Sequence, residues 1–190
     1  MKELSPTCIT PGDAHWPGLL AERLGTGVPT QLTALGNLDL LALQKIALFC
    51  SARCPGQAIL TAYDQATKWR DEKLCVISGF HSPVEKECLR ILLRGKQPII
   101  ICPARSLENM KIPSDWKKPL VDSRLLILSC FSNQHRRVTA ELAIRRNEFV
   151  SALADKVWFA HIMPGGQMEC LVQHLTAWNI PFSTAEKSQN

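Results

Sequence analysis

From residue 45 onward, short apolar runs of strand length alternate with longer amphipathic stretches, and this rhythm constrains the fold more than any other feature. Lys45–Cys50, Leu74–Ile77, Pro98–Cys102, Arg124–Ser129 and Lys156–Ile162 read as buried strands, with a last short one at Ile180–Ser183. Helices are predicted at Gln57–Arg70, Pro83–Arg94, Arg136–Leu153 and Gln167–Trp178. In the last of these, Met168, Leu171, Val172, Leu175 and Trp178 recur at helical spacing, a stripe for core packing. Strands alternating with helices need crossover connections and so a parallel sheet. The expected fold is therefore α/β: a three-layer, Rossmann-like domain with a mainly parallel sheet and helices on both faces.

The division expected along the chain has three parts. Residues 1–44, punctuated by Pro6, Pro11, Pro17 and Pro29, form a lead segment with a short helix near Leu19–Leu24, packed on the core. Residues 45–184 form the Rossmann-like core, and 185–190 a disordered polar tail. The 190 residues fit one domain. Runs such as Pro98–Cys102 are far too short to span a bilayer, so no membrane association is expected. Met1–Pro11 lacks a basic start followed by an apolar core, so no secretory signal is read there. Eight cysteines without a Cys-x-x-Cys spacing fit reduced, mostly buried thiols in a cytoplasmic protein, with no metal site.

In an open parallel sheet, ligands bind beyond the carboxyl ends of the strands, near the point where strand order reverses. The residues following each predicted strand are therefore the candidates. They include Ser51 and Arg53 after the first, and Ser78, Gly79, Phe80 and His81 after the second. His135, Arg136 and Arg137 follow the fourth, and Gly165 and Gly166 the fifth. Small and hydroxyl residues beside helix N-termini, with arginine nearby, suit an anion, most simply a phosphate. The net charge of +5 permits such a partner without requiring it. Arg136-Arg137 and Arg145-Arg146 bracket one predicted helix, so one member of each pair can face the cleft or solvent. No G-x-G-x-x-G follows the first strand and no Walker A sequence occurs, which argues against NAD enzymes and P-loop NTPases; no cofactor is expected. Ser82-Pro83-Val84-Glu85 reads as a capping box, and Glu169 as a first-turn carboxylate favoured by the helix dipole.

The order of these segments resembles the core of the DNA-processing protein A family, DprA/Smf. The family's G-S-R after the first core strand is matched by Cys50-Ser51-Ala52-Arg53, with one inserted alanine. Its S-G-x-A-x-G-I-D is matched by Ser78-Gly79-Phe80-His81-Ser82-Pro83-Val84-Glu85, and its R-N-R-x-I by Arg146-Asn147-Glu148-Phe149-Val150. Gly165-Gly166 stand where a glycine–serine turn opens the last helix, and His15-Trp16-Pro17-Gly18-Leu19 is similar in the approach segment. The departures are His81 and Pro83 for the family's alanine and glycine, Leu89 for its histidine, Cys130 for an acidic residue and Glu148 for the second arginine. The resemblance covers about residues 11–184 and implies a core-only member, without an N-terminal helical domain or a winged helix.

What it implies is single-stranded DNA held in a basic cleft, in the service of DNA uptake and recombination, with no catalysis. Ser51, Arg53, Ser78, Gly79, Phe80, Arg136, Arg146, Asn147, Gly165 and Gly166 would line the cleft. Arg53 and Arg146 would pair with phosphates and Phe80 would stack on a base. A homodimer and a recombinase partner follow from the same resemblance. Met163-Pro164-Gly165-Gly166 with Arg146 upstream also resembles the LOG phosphoribohydrolases. That alternative makes the chain a hydrolase of nucleoside 5′-monophosphates, with Arg146 as phosphate holder and Glu169 as acid, or a nucleotide sensor without turnover. The G-T of the LOG motif is missing here and Glu169 stands two residues early.

Overall fold

The computed structural model describes residues 5–185. Eight strands form one sheet: β1 (Thr7–Ile9), β2 (Leu32–Gly36), β3 (Lys45–Phe49), β4 (Cys75–Ser78), β5 (Ile99–Ile101), β6 (Leu125–Ser129), β7 (Lys156–Phe159) and β8 (Phe182–Thr184). Six helices accompany them: α1 (Leu19–Leu24), α2 (Gly56–Asp71), α3 (Pro83–Leu93), α4 (Ser114–Val121), α5 (Ala140–Leu153) and α6 (Gln167–Ala177). The strand order is β1-β2-β6-β5-β4-β3-β7-β8. From β6 to β8 every pairing is parallel, while β1 and β2 run antiparallel at one end.

The strands β3 to β7 are buried on both faces, which is why they read as continuous apolar runs rather than alternating ones. Alternate residues serve opposite layers. Ala47, Phe49, Ile77, Ile100, Leu126, Val157 and Phe159 pack with Leu20, Phe149, Val150, Leu171 and Leu175, the inner faces of α1, α5 and α6. Leu48, Val76, Ile99, Ile101, Leu125, Ile127 and Trp158 pack with Ala62, Ala66, Trp69, Cys88, Leu92 and Leu120, from α2, α3 and α4. The chain thus winds β3 to β6 in one direction with helices on one face. It then returns to β7 and β8 on the far side of β3, with helices on the other face. This is the expected three-layer, doubly wound arrangement.

Three expectations need correction. Residues 7–36 do more than pack on the core: β2 pairs with β6 over Thr33–Gly36, and β1 pairs with β2. The helix expected from Arg136 starts at Ala140, because the Thr139 side chain accepts the Leu142 N–H and caps it there. Arg136 and Arg137 therefore stay in the loop. The connection after β5 holds a helix that the sequence reading missed: α4 follows Pro113 and carries Pro119 within it. Of the tail expected at 185–190, Ala185 is buried and 186–190 lie outside the described residues. No described helix is long and apolar enough to cross a membrane.

Candidate nucleic-acid interface

The carboxyl ends of β3 to β7 bring five loops to one edge, and three buried side chains tie together those after β3, β4 and β7. Ser51 follows β3; its N–H donates to the His161 carbonyl and its Oγ accepts the Met163 N–H at 3.0 Å. Strand order reverses between β3 and β7, so Ser51 stitches the two loops at that point. Ser78 ends β4 with its hydroxyl fully buried: Oγ donates to the Leu48 carbonyl at 2.8 Å and accepts the Phe80 N–H at 3.1 Å. Glu85 is also buried. Its Oε1 accepts the Cys50 N–H at 2.9 Å, and its Oε2 the N–H groups of His81 and Ser82 at 2.8 and 3.1 Å. The capping box read from the sequence is present, and the same carboxylate also holds the β3–α2 loop against the β4–α3 loop.

Arg146 projects from α5 onto this floor and is only 4% exposed. Its Nε donates to Asn147 Oδ1 at 2.8 Å and its Nη1 to the Cys102 carbonyl at 3.2 Å; Nη2 makes no hydrogen bond to a described residue. No carboxylate forms an ion pair with it among the described residues. Burial lowers its pKa from the usual arginine value and the nearby Glu85 charge raises it. The guanidinium keeps its charge regardless. The group lies flat against Gly79, where an added Cβ would sit 1.1 Å from Nη1 and 1.9 Å from Cζ. Gly79 does not have a positive φ, so glycine is needed there for space rather than for backbone freedom.

The other predicted residues divide between exposed and occupied. Arg53 and Arg137 are exposed and make no ion pair or hydrogen bond among the described residues. Arg136 is exposed, but its charge is balanced by Glu108, 3.1 Å away. Gly165 and Gly166 form the exposed turn into α6, with Gly165 at φ 71°. Glu169 closes this turn by accepting the Gly165 N–H at 2.8 Å. Two expected roles do not fit the geometry. The Phe80 ring is 4% exposed and packs in the core among the α2 and α3 residues, so it offers no stacking face. The Ser51 and Ser78 hydroxyls are engaged inside the protein rather than presented to a phosphate. Arg146 and Glu169, paired under the hydrolase alternative, sit over different strand ends, with β3 between β4 and β7 in the sheet.

One pattern went unread in the sequence. Ser129-Cys130-Phe131 after β6 repeats Ser78-Gly79-Phe80 after β4: Ser129 Oγ accepts the Phe131 N–H at 3.1 Å, and the ring is buried. An arginine covers each copy, Arg146 on Gly79 and Arg145 over the Phe131 ring at 5.8 Å. The recurring Ser-x-Phe, with Arg145-Arg146 adjacent, was the available signal. Beside it, Gln134 to Arg137, Thr139 and Leu142 line an open cavity of about 380 Å³.

The comparisons with known proteins agree with this architecture. DNA processing protein A from Streptococcus pneumoniae superposes with a TM-score of 0.77 at 18% identity, covering 94% of this chain and 62% of that one. The chain thus spans less than two thirds of the length of that relative. DNA processing protein A from Helicobacter pylori, described for its single-stranded DNA binding mode, gives 0.73 at 16% identity, covering 96% and 81%. A molybdenum cofactor binding protein from Rippkaea orientalis gives 0.51 at 11%, covering 75% and 76%. At these identities the likenesses establish the fold. No curated protein sequence matches the chain significantly. The family model of DNA recombination-mediator protein A matches residues 7–162, and the chain belongs to that family.

Proposed function

We propose that the carboxyl edge of the sheet binds single-stranded DNA through its phosphates. The observation that carries this reading is Arg146: a buried cation with no carboxylate in ion-pair range among the described residues, held at the centre of the edge by Cys102 and Asn147. Glu85 offsets this charge only from a distance; a buried charge without a direct ion pair is costly, and an anion above it recovers that cost. Arg53 and Arg137 lie on loops at either side, exposed and unpaired. From β6 to β7 the edge crosses four strand spacings, about 19 Å. That length, open rather than enclosed, suits a strand of several nucleotides better than one mononucleotide. The H. pylori relative's described single-stranded DNA binding points the same way.

In this reading Arg146 holds a phosphate, while Arg53 and Arg137 steer the strand; the N–H groups of Gly165 and Gly166 are already taken by Glu169 Oε2 and the Met163 carbonyl, so that turn acts as scaffold. Phe80, Ser51 and Ser78 act as scaffold. A homodimer, a recombinase partner and a cytoplasmic location belong to the same proposal; the eight cysteines are all free thiols, as a reducing compartment keeps them. The test is fluorescence anisotropy of a labelled oligothymidylate at low and moderate salt. Binding is expected to weaken steeply with salt and to fall with Arg53→Ala. Absence of binding at low salt, or an Arg53→Ala variant indistinguishable from the parent, refutes the reading.

A further inference from the structure

A further cavity lies at the opposite end of the sheet. It is open, about 710 Å³, and is formed where α3 ends, β5 and β6 begin, and α4 packs beside them. Five residues of β6 separate it from the carboxyl edge, about 17 Å at strand rise, so it is a distinct place on the molecule. Its volume lies in the range of small-molecule sites.

The charge of the lining is uneven. Arg94, Lys96, Lys118 and Arg124 face it, against Asp115 and Asp122. Lys118 pairs with Asp122 at 3.0 Å. Arg94 and Lys96 are exposed and have no carboxylate in ion-pair range among the described residues. Arg124 is half-buried: its Nη2 donates to the Leu93 carbonyl at 2.8 Å, while its Nη1 is shielded from solvent and has no acceptor. A buried guanidinium N–H without a partner is uncommon and costly. Four cations against two carboxylates leave two positive charges uncompensated. That balance matches the dianion of a phosphate monoester, which carries about two negative charges above pH 6.

We infer that this amino-edge cavity is a binding site for a small phosphate monoester, held by Arg124, Lys96 and Arg94. Arg124 lines the cavity beside Lys96 and Arg94 and contributes its charge, its Nη2 fixed by the Leu93 carbonyl. The two lysyl and arginyl side chains of the α3–β5 turn close over the phosphate oxygens, and Lys118 remains tied to Asp122. Leu93 and Pro119 offer apolar surface to the organic part of the ligand. The site is independent of the carboxyl edge, so its occupation and DNA binding are separable.

The test is isothermal titration calorimetry of the full chain with adenosine 5′-monophosphate, ribose 5-phosphate and adenosine. Both phosphate esters are expected to bind and adenosine is not. Lys96→Glu, at an exposed position, and Arg124→Gln are each expected to weaken the esters by about tenfold or more. Arg53→Ala and a saturating oligothymidylate are expected to leave them unchanged. Lys96→Glu carries the test should Arg124→Gln fail to fold. The inference is overturned if neither ester binds at millimolar concentration, if adenosine binds equally, or if Lys96→Glu leaves binding intact. Loss of ester binding with Arg53→Ala overturns it too, by placing the ester at the carboxyl edge.

Discussion

Gly79→Ala is the sharpest probe of the interface, because it adds one methyl group in one place. The new Cβ would lie 1.1 Å from Arg146 Nη1, 1.9 Å from Cζ and 2.6 Å from Nε, so the guanidinium cannot stay. Backbone conformation does not oppose the change, since the φ of Gly79 is not positive. Moving Arg146 breaks its bonds to Asn147 Oδ1 and the Cys102 carbonyl. Hydrogen bonds to a charged group contribute about 1.5–3 kcal/mol each, so the two give an upper bound of roughly 3–6 kcal/mol. Release of the guanidinium into water offsets part of that. Reduced freedom of the unfolded chain returns a further 0.4–1 kcal/mol or so. A net loss of about 2–4 kcal/mol is expected from urea denaturation. DNA affinity should fall with it under conditions where the variant is still folded. The double variant separates cause from coincidence: in an Arg146→Ala background, Gly79→Ala has nothing left to displace and should change stability little. Equal effects of Gly79→Ala in both backgrounds would refute the argument, as would parental stability and affinity in the single variant.

Three further outcomes follow from the same geometry. Arg137→Ala should weaken oligothymidylate binding almost equally for all sequences and make the salt dependence shallower by about one unit, read from anisotropy at several salt concentrations. Glu85→Gln replaces one acceptor oxygen by an NH₂ facing the N–H groups of Cys50 or of His81 and Ser82, so the urea midpoint should fall by about 1–3 kcal/mol of stability. Thiol labelling at pH 8 should modify the exposed Cys8 and Cys170 fastest and the half-buried Cys54 next. Burial pushes Cys75 and Cys88 up to about 12 and Cys50 and Cys102 higher still, so these four buried thiols stay protonated and should react only on unfolding.

The parallel part of the fold was legible because its signal is local and redundant. Each of β3 to β7 is an apolar run bounded by helix-forming sequence, and Ser82-Pro83-Val84-Glu85 marks the start of α3 without ambiguity. What escaped depends on partners distant in sequence. Thr7–Ile9 and Leu32–Gly36 are ordinary loop-flanked triplets and quintets until β6 offers its free edge to Thr33–Gly36. The helix α4 is masked by Pro113 before it and Pro119 within it, and Pro119 is buried there beside Leu120. In the candidate site, the residues after the strands lie along one edge of the sheet, but the orientation of each side chain was not readable. Phe80 is an aromatic in a glycine-bordered loop, which suggests a base platform, yet the hydroxyl of Ser78 turns its N–H, and so its ring, inward.

That inward turn changes how the edge can meet a phosphate. In a doubly wound sheet the crevice at the reversal of strand order is the default ligand site. Here it lies between β3 and β7, and Ser51 spans it with two hydrogen bonds to the loop after β7. The opening available to a strand therefore shifts toward the ends of β4, β5 and β6, where Ser-x-Phe occurs twice. At each copy the serine occupies the backbone group that would otherwise receive a ligand, and the phenylalanine seals the core beneath. Under the proposed DNA reading the contact surface is not the loop backbone but the arginines laid upon it. Gly79 would then serve a phosphate indirectly: its missing side chain is the space that Arg146 fills. A side chain at position 79 and the buried placement of the Arg146 guanidinium are mutually exclusive in this geometry, so the two positions are coupled.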